Sequence, residues 1–224
     1  MTYQERPTGV PAVVVWTKDA SGAGRILPDG CVDLVWDGSR LTVAGPDTRA
    51  RWHTSPPGTS YAALRMAAGT GPALLGVPAD VLRDRSPQLD ELWPEPDARR
   101  LAEQVADGGA RALTAWAHTQ RGQRDPDPFG GRVLALARAG TPVAEMADRV
   151  GLSPRQLHRR CLPLFGYGPR HLSRVLRLER VLATRGSLAE VAHACGYADQ
   201  AHLSREVRDL TGTTPSRLRR ELLG

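Results

Sequence analysis

Between Val10 and about Gly69 the apolar residues fall in short runs: Val13-Val-Val-Trp16, Val32-Asp-Leu-Val-Trp36, Leu41-Thr-Val43 and Tyr61-Ala-Ala-Leu-Arg-Met66. Turn-forming pairs and triplets punctuate them at Ser21-Gly22, Pro28-Asp29-Gly30, Asp37-Gly38, Gly45-Pro46 and Pro56-Pro57-Gly58. This spacing predicts β-strands, and several short ones predict a small sandwich or partial barrel. From Pro72 to about Thr119 the period becomes helical, with Leu101, Val105 and Ala106 on one face and Leu113, Trp116 and Ala117 on another. Residues 121–130 carry the Gly, Pro and charge content of a linker. The expected organisation is therefore α+β. Residues 1–120 form a domain that is β-rich to about 69 and then helical, and residues 131–224 form an all-helical domain.

In the second domain the helix boundaries are written in the residue types. Gly151 suits a left-handed helix end, and Ser153-Pro-Arg-Gln156 is a capping box with proline at the first helical position. The same grammar returns with Ser187-Leu-Ala-Glu190 as a capping box, Gly196 as a helix end and Asp199 as the next cap. Between them, residues 170–184 read as one longer helix with Val175, Leu178, Val181 and Leu182 available for burial. The two phrases superpose. Ala147 matches Ala192 and Gly151 matches Gly196 at an offset of 45, while Leu157 matches Leu203, Gly166 matches Gly212 and Pro169 matches Pro215 at 46. A small residue at a helix crossing, a glycine turn and an apolar inner face are what a helix-turn-helix needs if its second helix is to enter a major groove about 12 Å wide. The inner faces are Leu157, Cys161 and Leu164 in one unit, and Leu203, Val207 and Leu210 in the other. Pro163 is expected to kink or stop the first recognition helix and leave it short.

Charge sharpens this picture. Residues 129–224 hold 16 arginines against 8 acidic residues, a balance of +8, whereas residues 1–128 hold 14 Lys or Arg against 16 acids, a balance of −2. All the excess positive charge lies with the repeat. A basic domain beside a near-neutral one points to a polyanionic partner for that domain.

With Gly151-Leu-Ser-Pro-Arg-Gln-Leu-His-Arg159, Ala192, Gly196-Tyr-Ala-Asp199, Leu203-Ser-Arg205 and Gly212-Thr-Thr-Pro215 in view, residues 131–222 resemble the DNA-binding domain of the AraC/XylS family of transcriptional regulators. The family's aromatic residue is replaced here at Cys161, Leu203 and Val207. The resemblance implies double-stranded DNA as partner, with RNA polymerase and a small-molecule effector as further ones. It places DNA contacts at Arg155, His158 and Arg159 in the first unit, and at Gln200, Ala201, His202 and Arg205 in the second. Arg can fork onto guanine, Gln can bracket adenine and Ala can meet a thymine methyl, while Ser153 and Ser204 suit phosphates. The phrase Leu27-Pro-Asp-Gly-Cys-Val-Asp-Leu-Val-Trp36, with Leu74-Leu-Gly-Val-Pro-Ala79 and Leu82-Arg-Asp-Arg85, resembles the sensor-type N-terminal domain of some AraC-like regulators. That implies effector binding or dimerisation. Trp16, Trp36 and Trp52, with Trp93, are candidates to line an apolar pocket, against the alternative that they are plain core. The chain reads as a monomer or homodimer.

Other chemistries find little support in the residues. Cys31, Cys161 and Cys195 are odd in number and far apart, which predicts neither a disulfide frame nor a zinc site. No cofactor and no catalytic residue is expected. A DNA-repair alkyl acceptor fused to an AraC-like domain remains the enzymatic alternative, with Cys31 as acceptor, though the four-cysteine cluster of such proteins is missing. The other alternative keeps DNA binding and makes the N-terminal half an interaction module without sensing. The absence of a membrane-length apolar run or of a signal-like segment predicts a cytoplasmic protein.

Overall fold

The computed structural model describes residues 3–123 and 127–223. Five strands, β1 (Tyr3–Pro7), β2 (Val13–Ile26), β3 (Val32–Trp36), β4 (Leu41–Ala44) and β5 (Arg51–Met66), make one antiparallel sheet in the order β1-β2-β5-β3-β4. Of the expected sandwich or partial barrel, the sandwich is corrected, since the strands form a single sheet among the described residues. Its cause is the length of β2 and β5, which pair from Val13 opposite Met66 to Ile26 opposite Arg51. The two supposed turns inside them are not turns. The register shifts between Ala20, opposite Thr59, and Gly22, opposite Ser55, so the single residue Ser21 faces the three residues Pro56–Gly58, which bulge from β5, and Gly22 beside the irregularity sits at φ +80°.

Alternation along these strands buries one face of the sheet, carrying Val13, Val15, Leu34, Val43, Leu64 and Met66. Helices cover that face. The chain passes through α1 (Gly71–Leu75), α2 (Ala79–Leu82) and a 3-10 turn at Leu89–Glu91 to the antiparallel pair α3 (Glu95–Gly108) and α4 (Ala110–Gln123). Leu101, Val105, Leu113, Trp116 and Ala117 of that pair join the sheet in one core, as their helical spacing predicts, whereas Ala106, expected on the face of Leu101 and Val105, is exposed.

The segment read as a linker contains the last turn of α4 and the start of α5 (Pro128–Arg138); residues 124–126 lie outside the described residues. The C-terminal domain continues with α6 (Val143–Arg149), α7 (Pro154–Phe165), α8 (Pro169–Ala183), α9 (Leu188–Ala194), α10 (Gln200–Thr211) and α11 (Pro215–Leu223). One helix serves two cores. Leu172, Val175 and Leu176 of α8 pack with α5, α6 and α7, while Leu178 and Val181 pack with α9, α10 and α11. Among the described residues no helix is long and apolar enough to cross a membrane.

The two domains are docked. Phe165 at the end of α7 lies on Gly69, where a Cβ would come within 2.8 Å of its ring, and Gly166 abuts Pro46 and Ala79. Arg83 donates to the Gly166 carbonyl at 3.0 Å. At the other unit the Ala50 amide donates to the Leu210 carbonyl at 2.7 Å, and Arg25 donates to the Thr211 carbonyl at 2.5 Å. The loop carrying Pro46 and Ala50 depends on Gly45, whose missing Cβ would stand 1.9 Å from the Leu82 carbonyl oxygen. Backbone cannot yield as a flexible side chain can. Gly45→Ala is therefore expected to destabilise the protein by at least about 1 to 3 kcal/mol, the usual cost of overpacking, read as a lower urea midpoint with an unchanged slope.

Candidate nucleic-acid interface

Each unit of the C-terminal domain is built by the same local physics. Helix α6 ends at a left-handed Gly151, φ +68°, and α9 ends at a left-handed Gly196, φ +74°. In both, the residue after the glycine donates back to the crossing alanine, Leu152 to the Ala147 carbonyl and Tyr197 to the Ala192 carbonyl, each at 2.9 Å. This closure satisfies carbonyls that the helix end would otherwise orphan. The crossing alanines are buried, so the paired helices approach without a side chain between them.

The second helix of each unit then starts from a side-chain cap. Ser153 accepts the Gln156 amide at 3.3 Å and Gln156 accepts the Ser153 amide at 2.9 Å, which completes the expected capping box. Asp199 accepts the His202 amide at 2.6 Å. Helices α7 and α10 come out equal at 12 residues each, and left-handed glycines, Gly166 and Gly212, end both. The expectation of a short first recognition helix is thus corrected. Pro163 lacks only a donor in the last turn, and the buried Phe165 anchors the chain beyond it. Phe165, not the half-buried Leu164, completes the inner face after Leu157 and Cys161. In α10 the inner face is Leu203, Val207 and Leu210, as the pattern predicts.

On the outward faces, Arg155, His158 and Arg159 of α7 are exposed, as are Gln200, Ala201 and Arg205 of α10. Ser204 and His202 are half-buried. Two of these side chains have local work. Ser153 is spent partly on its cap, and His202 lies edge-on to Tyr197 while its Nδ1 accepts the Ala198 amide at 3.5 Å. His158 is stacked close over Gly168, at the place where a Cβ would collide with its ring. Among the described residues, no hydrogen bond or ion pair engages the Arg155, Arg159 or Arg205 guanidinium.

The acids of α10 are, by contrast, neutralised from behind. Arg174 of α8 donates to Glu206 at 3.0 Å and also pairs with Asp209, and Arg49 reaches Asp209 at 2.9 Å. Hydrogen bonding to Arg174 holds the Asp209 carboxyl below its usual range. The outward face is left positive, with Arg205 and the likewise exposed Arg208 on it. Sequence pattern alone does not separate Arg160 from its neighbours. It is tied at 3.6 Å to Asp127 and lies 3.8 Å over the Phe129 ring.

The tryptophans do not converge. Trp16 lies beside Tyr3 and Asp33 on the sheet, Trp36 packs at the edge of the main core, and Trp93 packs on Trp116. Trp52 is 61% exposed, under the Arg25 guanidinium. A cavity of about 610 Å³ between the start of β2, α1 and α5, lined by Ala12, Ala68, Thr70, Ala73, Pro128 and Leu134 among others, has none of them on its wall.

These twin units have counterparts among known proteins. Residues 146–221 match a family model described as a helix-turn-helix domain. Residues 146–221 form an AraC-type helix-turn-helix domain. The AraC-type domain lies wholly within the basic part of the chain. Residues 12–88 match a second model, a domain of unknown function designated DUF6597. The chain is 36% identical over 80 residues to the HTH-type transcriptional activator RhaS of Pectobacterium carotovorum subsp. carotovorum, covering 34% of this chain and 29% of that protein. It is 35% identical over 80 residues to RhaS of Pectobacterium atrosepticum, with the same coverage. The chain thus spans about 29% of the length of these curated relatives. The crystal structure of ToxT from Vibrio cholerae O395 superposes with a TM-score of 0.50 at 10% identity, over 95% of this chain and 99% of that one. At that identity the likeness is one of fold. It nevertheless embraces both domains, the sheet as well as the AraC-type domain.

Proposed function

We propose that the chain is a sequence-specific DNA-binding transcriptional regulator whose α7 and α10 read successive major-groove segments. The observation that carries this reading is the pair of equivalent units with unengaged guanidiniums on their outward faces, in the one domain of excess positive charge. Arg155 and Arg159, with His158, contact the first half-site; Gln200, Ala201 and Arg205 contact the second. Ser153, Ser204 and the free amides at the two helix starts hold phosphates. His202 contributes from the helix start, where its ring supports the turn. The reading faces differ, so the half-sites differ. With α8 rigid between the units, the two helices would meet successive major-groove segments about one helical turn, roughly 34 Å, apart. The relatives named above are transcriptional activators, which agrees with a regulatory role and a cytoplasmic location. One chain carries both reading heads and suffices for binding; RNA polymerase is the partner an activator would engage.

The alkyl-acceptor alternative loses ground at the thiol. Burial, reinforced by Asp29, pushes the Cys31 thiol far above its usual range, and burial also raises Cys161 to about 12. Such thiols are poor nucleophiles. Among the described residues no group of His, Cys, Asp or Glu is arranged to hold a metal.

Selection of bound sequences from random duplex DNA at two salt concentrations tests the proposal. An asymmetric site with two half-sites is expected, and log affinity should fall with log salt by about 0.9 per neutralised phosphate. Salt-sensitive binding with no enriched sequence would overturn it. Control by a small effector in the N-terminal domain is the finer reading. A ToxT structure of the same fold, TM-score 0.50, is of the protein bound to (E)-4-(8-methylnaphthalen-1-yl)but-3-enoic acid, and the 610 Å³ cavity at the junction of the domains offers space here. A metabolite present at a hundred times its dissociation constant should add about 2.7 kcal/mol of stability. A hit that leaves operator affinity unchanged would favour a non-sensing interaction module.

A further inference from the structure

The N-terminal domain touches the two reading units at equivalent points. Gly166 and Gly212 correspond in the repeat and end α7 and α10. Arg83 donates to the carbonyl of Gly166 at 3.0 Å, and Arg25 donates to the carbonyl of Thr211, one residue before Gly212. Each arginine therefore sits at the carboxyl end of a recognition helix, where the helix dipole favours a cation. Arg83 is an exposed residue, whereas Arg25 is enclosed. Arg25 is held between the Trp52 ring at 4.6 Å and Glu221 at 3.2 Å, and its side chain is only 14% exposed. Apolar packing and a backbone bond reinforce both points, Phe165 on Gly69 at one and Ala50 to Leu210 at the other.

We propose that the N-terminal domain is a brace that fixes the spacing and angle of the two recognition helices, through Arg83 on the first and Arg25 on the second. Two features point to a brace rather than a block. Apart from Arg25 to Glu221 on α11, every contact just named between the domains lies at the carboxyl ends of α7 and α10, and Arg155, Arg159, Gln200 and Arg205 toward the amino ends stay exposed. The domain can remain docked while DNA is read. Moreover, α8 joins the two units, its Leu178 and Val181 lying in the second unit's core and its Arg174 pairing with Glu206 and Asp209 of α10. The N-terminal domain adds a second, independent attachment that does not run through α8. Trp52 then has a task, which is to hold Arg25 in place.

This rests on the DNA-reading assignment for its consequence but not for its geometry, and the experiment separates the two. In the full chain with Cys31→Ser, spin labels on Arg159→Cys and Arg208→Cys report the distance between the helices without DNA. The parent is expected to show one narrow distribution. Arg25→Ala with Arg83→Ala should broaden it at unchanged ellipticity, and Arg83→Ala alone, which leaves one hold, should broaden it less. Arg25→Lys keeps the charge at the helix end and should restore most of the narrowness. On DNA, the unlabelled parent and double variant are compared on the selected site and on the same site with one extra base pair between half-sites. That insertion moves a half-site by about 3.4 Å and turns it by about 35°. The parent should lose at least about tenfold in affinity and the double variant less than about threefold, a contrast well inside what one disturbed base pair costs. Unchanged distance widths together with an unchanged spacing penalty would overturn the brace. If no DNA sequence is enriched at all, the DNA reading fails, and the distance widths still decide the brace. Should the double variant lose its ellipticity, Arg83→Ala and Arg25→Lys carry the same comparison.

Discussion

Arg155→Ala combined with Arg205→Ala is expected to remove about 2 to 6 kcal/mol of sequence-specific DNA affinity, between one and four orders of magnitude in dissociation constant. Each guanidinium that forks onto a guanine edge contributes about 1 to 3 kcal/mol of discrimination. The two side chains stand on different helices in different half-sites, so their effects should add. Stability should barely move. Both side chains are exposed and unengaged among the described residues, and substitutions of that kind usually stay within about 0.5 kcal/mol. The check is a titration at fixed salt on the selected site and on a scrambled duplex, with a thermal melt alongside. A large loss on the selected site and a small one on the scrambled duplex identifies base contacts. Equal losses on both would make these arginines phosphate contacts and move sequence reading elsewhere on the helices. Arg174→Ala is the instructive contrast. That side chain is engaged with Glu206 and Asp209, so its removal uncovers Glu206, leaves Asp209 to Arg49 alone and weakens binding to any duplex.

The C-terminal domain was legible because its determinants are local. A capping serine reaches a residue three positions on, a left-handed glycine needs only its own φ, and inner-face residues recur within one helix. Ser153, Ser187, Gly151 and Gly196 therefore announce themselves in the chain, and the structure places each where its type requires. Pro163 misled because a proline is judged by the bond it removes. In the last turn of α7 the burial of Phe165 against Gly69 outweighs that loss. In the N-terminal domain Ser21-Gly22 is ambiguous in principle, since glycine at positive φ serves a bulge as well as a turn. Only the pairing of β2 with β5, across some forty residues, decides between them. The docking of the domains was not legible at all. Arg25 and Thr211 are separated by 186 positions, and Arg83 and Gly166 by 83. The acceptors there are backbone carbonyls, which every residue possesses, so no residue type marks them. The same holds for the tryptophans, whose identity advertises an apolar contact without saying which one.

Leu203→Ala is expected to cost about 2 to 5 kcal/mol, the range for emptying a fully buried leucine site, and to do so within one part of the molecule. Leu203 is wholly buried among Ala192, Cys195, Tyr197, Val207 and Leu210, in a cluster separate from that of the first unit. Cys195 and Val207 are small, and the crossing at Ala192 leaves α9 no slack to close in, so the cavity should persist. A loss of this size is a large share of the roughly 5 to 15 kcal/mol that holds a typical domain folded. The second unit should then open before the rest, and two-state unfolding should fail. All five tryptophans lie in the first 116 residues, so their fluorescence follows the N-terminal domain, whereas far-UV ellipticity follows every helix. In urea the ellipticity of Leu203→Ala should begin to fall ahead of the fluorescence. Leu157→Ala empties an equivalent position, but its cluster includes Phe165 and Ala68, which tie the first unit to the N-terminal domain. There the two signals should shift together to lower urea. Coincident transitions in Leu203→Ala would mean that Arg25, Ala50 and Leu27, which packs against this cluster, together couple the second unit to the N-terminal domain as tightly as shared core couples the first.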